Sequence, residues 1–383
     1  MVSCKNQDEK KITQLTDNEN LISKDSIFAV GFNKLPQKYI QQKRILIESF
    51  FNEHINVNND FNGGFLVAKN GQVLFEKYQG MGNFLKKEKI TQNTPLHLAS
   101  ISKVLTATAI FRLIESNKIS LDDNVKSILP TFPYEKITIR MLLNHRSGLA
   151  KYSRFTEPEN IWGRKKTLHN KDILDLLGSE NIPLDFKPNT KFAYCNTNYA
   201  ILALVIEKIT NTSYAEAMER LVFSPLQMKN TFVFDFENQK DTVSQSYKST
   251  REIIPYDQLD AVYGDKNIYS TPQDLLKFDL AMYSNDFISE KLKKEIFKGY
   301  SYEKKGIKNY GLGIRLREWD SGQTVFYHNG WWHGNTTSYI TLKKDTVTMI
   351  ALSNKYTRKV YQTMRMSALF GDYPFELHAE ESE

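Results

Sequence analysis

The stretch PLHLASISKVLTATAIF, residues 95–111, decides how this chain is read. Most of it is small or apolar, the composition of a helix bound for a core, and the pattern predicts a helix from about residue 99 to 116. Two polar residues interrupt it, Ser100 and Lys103. Positions i and i+3 share a helix face, so the lysine amine reaches the serine hydroxyl. An ammonium is a poor base at neutral pH unless burial or nearby cations favour its neutral form, and the apolar surroundings supply burial. The pair reads either as two solvent-facing side chains or as a nucleophile with its proton acceptor. Spacing alone does not choose, because Ser301 and Lys304 repeat it in a charged stretch.

Two more short patterns bear on the choice. Tyr194-Cys195-Asn196 stands immediately before the apolar run TNYAILALVIEKIT, where a side chain can project into a cleft. A phenol beside an ammonium can act as a general base, and an amide can both donate to and accept from a substrate. Tyr283 and Asn285 share this spacing but no apolar helix follows them. His328-Asn329-Gly330 is the only His-x-Gly in the chain, and it is expected at a junction of strands where glycine lets a ligand approach the backbone. Trp331 then offers its main-chain N–H to an oxyanion. Each pattern alone has an ordinary structural reading: a surface pair, a half-buried core tyrosine, a loop histidine beside a turn glycine. Three in one order, each in a suitable element, favour chemistry.

Composition permits this. The 383 residues are 40% hydrophobic and 25% charged, enough for a sizeable core without disulfide staples. The net charge of +7 comes from lysines and arginines interleaved with acids, with no clustered basic and aromatic segment of the kind nucleic acid requires. Two cysteines, Cys4 and Cys195, build no metal pattern. No apolar stretch reaches the roughly 20 residues that span a bilayer.

Periodicity places the motifs. Residues 35–55 read as an amphipathic helix with Ile40, Ile45, Leu46, Phe50 and Phe51 inward. GGFLVAKNGQVLFEKYQG is a hairpin about Asn70-Gly71. From about 119 to 284 the pattern is mainly helical, with a helix break near Asn211 and a helix capped by Ser270 or Thr271. After Tyr310, YGLGIRLRE, QTVFYHNG, TTSYITLKKD and VTMIALSN read as strands, and a last helix follows. The fold expected is α+β: one antiparallel sheet from both chain ends, flanked by helices, with a mainly helical lobe (about 119–290) inserted. Residues 31–375 form the domain, 1–30 a flexible tether and 376–383 a polar tail.

With these motifs in place, the sequence resembles the serine β-lactamase-related family, which includes class C β-lactamases, D-alanyl-D-alanine carboxypeptidases, D-aminopeptidases and esterases. The resemblance runs over about residues 45–355 and extends to LLNHRSGL, KFAYCNTNYAILALVIEKIT, YSTPQDLLKF and YGLGI. It implies a β-lactamase/transpeptidase-like fold and acyl transfer through a covalent acyl-enzyme, with no metal or cofactor. Ser100 is then the nucleophile, and Lys103 and Tyr194 share its proton. Asn196, His328, Gly330 and Trp331 line the substrate site, with the amides of Ser100 and Trp331 as oxyanion donors. The implied partners are a small peptide, β-lactam or ester, with no nucleic acid. Histidine in the third motif, where class C β-lactamases carry lysine, points to a D-alanyl-D-alanine carboxypeptidase or D-peptidase. An esterase or amidase, a β-lactamase and a non-catalytic penicillin-binding protein are the alternatives. His145 is read as a loop brace, His97 as packing under the helix, and Cys195 as a passive small residue. Loops 150–190 and 235–265 are expected to rim the cleft, with Arg154, Arg164, Trp162 and Tyr256 among their residues.

The start, MVSCKNQDEKK, resembles the end of a bacterial lipoprotein signal, with Cys4 as the lipidation site. The expected location is the cell envelope, periplasmic or membrane-anchored, with association to wall or membrane surface; a soluble cytoplasmic protein is the alternative.

Overall fold

The computed structural model describes Phe28 and residues 30–377. Cys4, most of the expected tether and residues 378–383 lie outside the described residues.

The fold is organised by strands that are buried on both faces. Strand β1 (Gly63–Lys69) alternates Phe65 and Val67 toward one side with Leu66 and Ala68 toward the other, all fully buried. A strand covered on both sides reads as a continuous apolar run rather than as an alternation. Asn70 (φ 51°) and Gly71 (φ 73°) then turn the chain, both with the positive φ that a two-residue hairpin needs, and β2 (Gln72–Gln79) pairs back on β1. The remaining strands of the sheet come from the far end of the chain: β3 (Lys308–Tyr310), β4 (Arg315–Glu318), β5 (Thr324–Trp332), β6 (Asn335–Leu342) and β7 (Val347–Ser353). The order is β2-β1-β7-β6-β5-β4-β3, antiparallel throughout. The two ends meet at β1 and β7, where Phe65 lies opposite Ala351. This is the expected α+β fold with a sheet from both ends.

One face of the sheet carries helix α1 (Gln37–Phe50), its π-helical extension Phe51–Ile55, and a 3-10 helix, Lys359–Leu369. The other face meets the main core, which includes α2 (Ser102–Glu115), α3 (Thr197–Thr210) and α4 (Pro272–Ala281). Thr271 caps α4 by accepting the Asp274 N–H, and Asn211 ends α3 in the left-handed conformation. No helix of the described residues is long and apolar enough to cross a membrane.

Several expectations need correction. Ile45 and Leu46 are exposed, and Ile47, Phe50 and Phe51 are the buried positions of the first helix. At 3.6 residues per turn Ile45 lies about 140° round from Ile40, whereas Ile47 and Phe51 return to within about 20° of it. YGLGIRLRE is two strands, because Gly313 turns the chain at φ 78° between them. The helix that carries Ser100 and Lys103 begins as a 3-10 turn, Ala99–Ile101, before α2 proper. The last helix is 3-10 rather than α. The helical middle also holds a small sheet, in which Ile268–Ser270 lies between Leu96–His97 and Phe232–Val233.

Phe65 sits under α1 against Phe51 and Phe75, with ring centroids 4.8 and 6.0 Å away. Phe65→Ala is expected to lower unfolding free energy by about 3–5 kcal/mol, read from urea denaturation.

Candidate active site

Ser100 lies in the 3-10 turn that opens α2, and Lys103 lies one turn on. The Lys103 side chain is 0% exposed. Its Nζ is 3.0 Å from Ser100 Oγ and donates to the main-chain carbonyl of Asp265 at 2.6 Å. The rings of Tyr194 and Tyr199 flank it at 5.2 and 5.7 Å. A buried cation without such partners is prohibitive. The amine is thus fixed by a carbonyl on one side, aromatic faces on another, and the serine in front.

The turn before Ser100 is itself constrained. Ala99 has φ 49°, uncommon for a residue with a Cβ. Neighbours on several elements hold it there. The Ala99 N–H donates to His97 Nδ1 at 3.0 Å, the Leu98 N–H to Ile268 O at 2.8 Å, and Thr337 Oγ1 to Leu98 O at 2.8 Å. Because His97 Nδ1 accepts, its Nε2 carries the proton and donates to Asn267 Oδ1 at 3.1 Å. His97 is therefore a pin for the turn that carries Ser100, more than packing under the helix. Ser102 accepts the Ile268 N–H, a structural role.

Tyr194 projects from the turn before α3, as expected. Its phenol oxygen and Asn196 Oδ1 are buried without a hydrogen-bond partner among the described residues. Unsatisfied buried polar atoms are rare enough to mark a site. The Arg315 guanidinium stacks 4.7 Å from the Tyr194 ring and 5.6 Å from Tyr310, with no carboxylate within ion-pair distance among the described residues. By contrast Arg154 pairs with Asp185 and Arg164 with Glu157, so those loop cations are already engaged. His145 packs on Tyr194 with centroids 4.3 Å apart, and its Nδ1 accepts the Cys195 N–H at 3.2 Å. It braces the Tyr194 turn, consistent with its reading as a loop brace. Cys195 is buried, its thiol against Leu149 O.

His328 and Gly330 lie inside β5, not at a strand junction. Two residues apart, they share the face toward Ser100. The Gly330 position has no room for a side chain: a Cβ would strike Thr337 Oγ1, and would stand 2.6 Å from Leu98 O and 2.9 Å from the Ala99 Cβ. Glycine here lets the strand press on the turn that carries Ser100. His328 donates from Nδ1 to Asn329 O at 2.8 Å and receives the Tyr310 hydroxyl on Nε2 at 3.2 Å, its ring 6.2 Å from that of Tyr194. β5 pairs with β4 only from Thr324 to Tyr327, so its outer edge from His328 onward has no neighbouring strand among the described residues. Trp331, on this segment, is 63% exposed, whereas Trp332 is half-buried and donates from Nε1 to Asp260 at 2.7 Å.

Motif reading did not find Arg315, Tyr310, Tyr152, Asp265 or Lys266. A faint signal existed for the last two: Asp265-Lys266-Asn267 puts three polar residues directly before a strand, and all three are buried. Among the described residues Asp257, Asp260 and His333 bring potential metal-ligand atoms within 4.8 Å of one another, but Asp260 is already engaged by His333 and Trp332.

Lys103 thus stands against the first-turn serine of an apolar helix, facing Tyr194 and a strand edge with no strand beside it among the described residues, an arrangement that fits a serine hydrolase. Residues 53–370 match the family model described as Beta-lactamase, and the chain belongs to that family. It is 31% identical over 359 residues to penicillin-binding protein 4* of Bacillus subtilis, covering 88% of this chain and 78% of that protein. It is 28% identical over 300 residues to the teichoic acid D-alanine hydrolase of Staphylococcus aureus, covering 77% and 72%. The crystal structure of a penicillin-binding protein from Bacillus halodurans shares the fold, with TM-score 0.71, 22% identity and coverage of 88% and 100%.

Burial pushes His97 down to about 4 and holds His145 and His328 well below the ordinary histidine value, with Lys103 and Arg315 adding repulsion at the latter two. All three are neutral when folded and bind protons near pH 6.5 when unfolded. Their stabilising contribution is complete above about pH 6.5 and is lost as pH falls toward 4. Urea unfolding at pH 7.5, 6 and 5 is expected to show stability falling at up to about 4 kcal/mol per pH unit at the acid end. Gly330→Ala is expected to reduce hydrolytic activity by tenfold or more, about 1.4 kcal/mol in the barrier, as the strand is pushed off the nucleophile turn.

Proposed function

We propose that Ser100 is the nucleophile of an acyl-enzyme mechanism and that the protein is a D-alanyl-D-alanine carboxypeptidase or related D-peptidase of the cell envelope. The observation that carries this is the 3.0 Å approach of buried Lys103 Nζ to Ser100 Oγ, with the unpartnered Tyr194 phenol beside the same amine. Ser100 Oγ attacks the carbonyl carbon, and its proton passes to the Lys103–Tyr194 pair. The oxyanion is met by the N–H groups of Ser100 and Trp331, each such donor typically worth roughly 3–4 kcal/mol. The pair returns the proton to the departing amine, and water then hydrolyses the Ser100 ester. Asn196 orients the substrate amide, and His328 lines the cleft as a neutral group.

Arg315 supports a D-peptide substrate. It is a cation beside Tyr194 with no acidic partner, suited to the terminal carboxylate of the leaving residue. The names of the two relatives, one penicillin-binding and one acting on D-alanine of teichoic acid, support the same class. They also favour an envelope location, in which Cys4 is the lipid anchor, residues 1–30 the tether and residues 31–375 the hydrolase domain with its inserted helical lobe. Trp331 favours a second reading, an esterase or amidase: its exposed indole offers an apolar surface to an acyl group.

The test is intact mass of the wild type and Ser100→Ala over time with a penicillin, alongside turnover of a D-alanyl-D-alanine peptide and of small esters. The expected result is a lasting adduct on the wild type only, with peptide turnover. An equal adduct on Ser100→Ala contradicts the nucleophile. No adduct with rapid ester turnover favours the second reading. Arg315→Gln is expected to raise KM for the peptide by about tenfold to a hundredfold, the loss of one hydrogen-bonded charge, with less effect on an uncharged ester.

A further inference from the structure

A second buried lysine stands behind the first. Lys266 is 2% exposed and follows the residue whose carbonyl holds Lys103. Its Nζ donates to the Tyr152 hydroxyl at 2.9 Å and lies 3.6 Å from Asp265 Oδ1. The Tyr152 hydroxyl in turn donates to Asp265 Oδ2 at 2.8 Å, closing a triangle of lysine, tyrosine and aspartate. From this triangle the Asp265 carbonyl projects to Lys103.

The same ammonium has another neighbour. It lies 4.5 Å from the centre of the Trp332 ring, whose Nε1 donates to Asp260. Trp332 ends β5, one residue beyond Trp331. Asn267, next to Lys266, donates to the carbonyls of Asp260 and Val262 and accepts from His97, the residue that pins Ala99. The segment 265–267 therefore touches the amine, the nucleophile turn and the end of the oxyanion strand. The charged and titratable groups facing Lys266 are Asp265, Asp260, Asp257, Lys103 and Tyr152.

Stability does not account for this arrangement. A buried ion pair is often no better for stability than a well-packed apolar replacement, and is retained where it fixes one geometry. Burial pushes the Lys266 ammonium down, against the pull of Asp265 and Asp260. Acyl transfer itself has no step for a second lysine out of reach of the serine.

We propose that Lys266 is a positioning residue for acyl transfer: it holds the Asp265 carbonyl that aims Lys103 and, through Trp332, the end of β5 that presents the Trp331 N–H. One side chain thereby sets the distance between the proton acceptor and the oxyanion donor. This rests on the acyl-enzyme reading above, and the test separates the two.

The experiment compares four proteins: wild type, Ser100→Ala, the charge-balanced double variant Lys266→Met with Asp265→Asn, and Tyr152→Phe. The last removes the bridging hydroxyl and keeps the ring and both charges. Each is assayed for kcat, KM and the pH dependence of kcat/KM with p-nitrophenyl acetate, and for thermal unfolding. Misplacing reacting groups by about 1 Å can cost a hundredfold, so the double variant is expected to lose about tenfold to a hundredfold in kcat with little change in KM. Its pH profile is expected to shift, and Tyr152→Phe to show a smaller loss of the same kind. A folded double variant, or Tyr152→Phe alone if the double variant does not fold, with wild-type kcat and an unshifted profile overturns the proposal and leaves Lys266 as a structural ion pair. Wild-type turnover by Ser100→Ala overturns the acyl-enzyme reading instead.

Discussion

Everything at this site depends on how one amine is kept out of water. Lys103 has no solvent contact, and its direct polar contacts are a serine hydroxyl and a single main-chain carbonyl. A polar group so placed is tolerated only if its partners are fixed, because any loosening exposes the full desolvation penalty. That requirement explains features that otherwise look unrelated: the left-handed Ala99, the buried Asp265-Lys266-Asn267 segment, and a strand glycine with no room for a Cβ.

The sheet supplies the other half of the constraint. Its edges are built from both ends of the chain, so Ser100 comes from the turn that follows the N-terminal strands, Tyr194 from the helical middle, and His328 and Gly330 from the returning strand. β5 runs past β4 and, among the described residues, leaves its last residues without a strand on that side, beside the turn that carries Ser100. A backbone edge of this kind offers main-chain groups to an extended substrate. The rings of Tyr194, Tyr310 and His145 and the guanidinium of Arg315 pack on one another, and burial together with repulsion from Lys103 and Arg315 keeps His145 and His328 neutral.

Much of this was legible in the sequence, for identifiable reasons. A serine and lysine three apart share a helix face, and the apolar run around Ser100 and Lys103 separates them from the same spacing at Ser301 and Lys304. The Asn70-Gly71 turn and the Asn211 break declare their backbone conformations by residue type. The central strands β1 and β7 read as near-continuous apolar runs because both faces are covered. What stayed hidden depends on tertiary approach. Arg315 and Tyr310 sit in a stretch that reads as one strand, and only the turn at Gly313 brings them round Tyr194. His97 reads as core packing, and its ring becomes a pin only when the Ala99 N–H folds onto it. Ile45 and Leu46 fall only loosely on the helical repeat that reads them as inward, and a difference of one residue turns a side chain through about 100°. Lys266 looks like a loop charge, since nothing local says that Tyr152, more than a hundred residues earlier, closes over it.

The most direct test is the rate at which Lys103→Met is acylated, followed by intact mass with a reactive ester or β-lactam under conditions where the wild type acylates fully. Removal of the amine from a folded protein should slow acylation of Ser100 by about 10²–10⁴-fold, the usual contribution of a positioned acid–base group. Acylation of Ser100 at the wild-type rate in folded Lys103→Met would contradict the role of this amine in activating the serine.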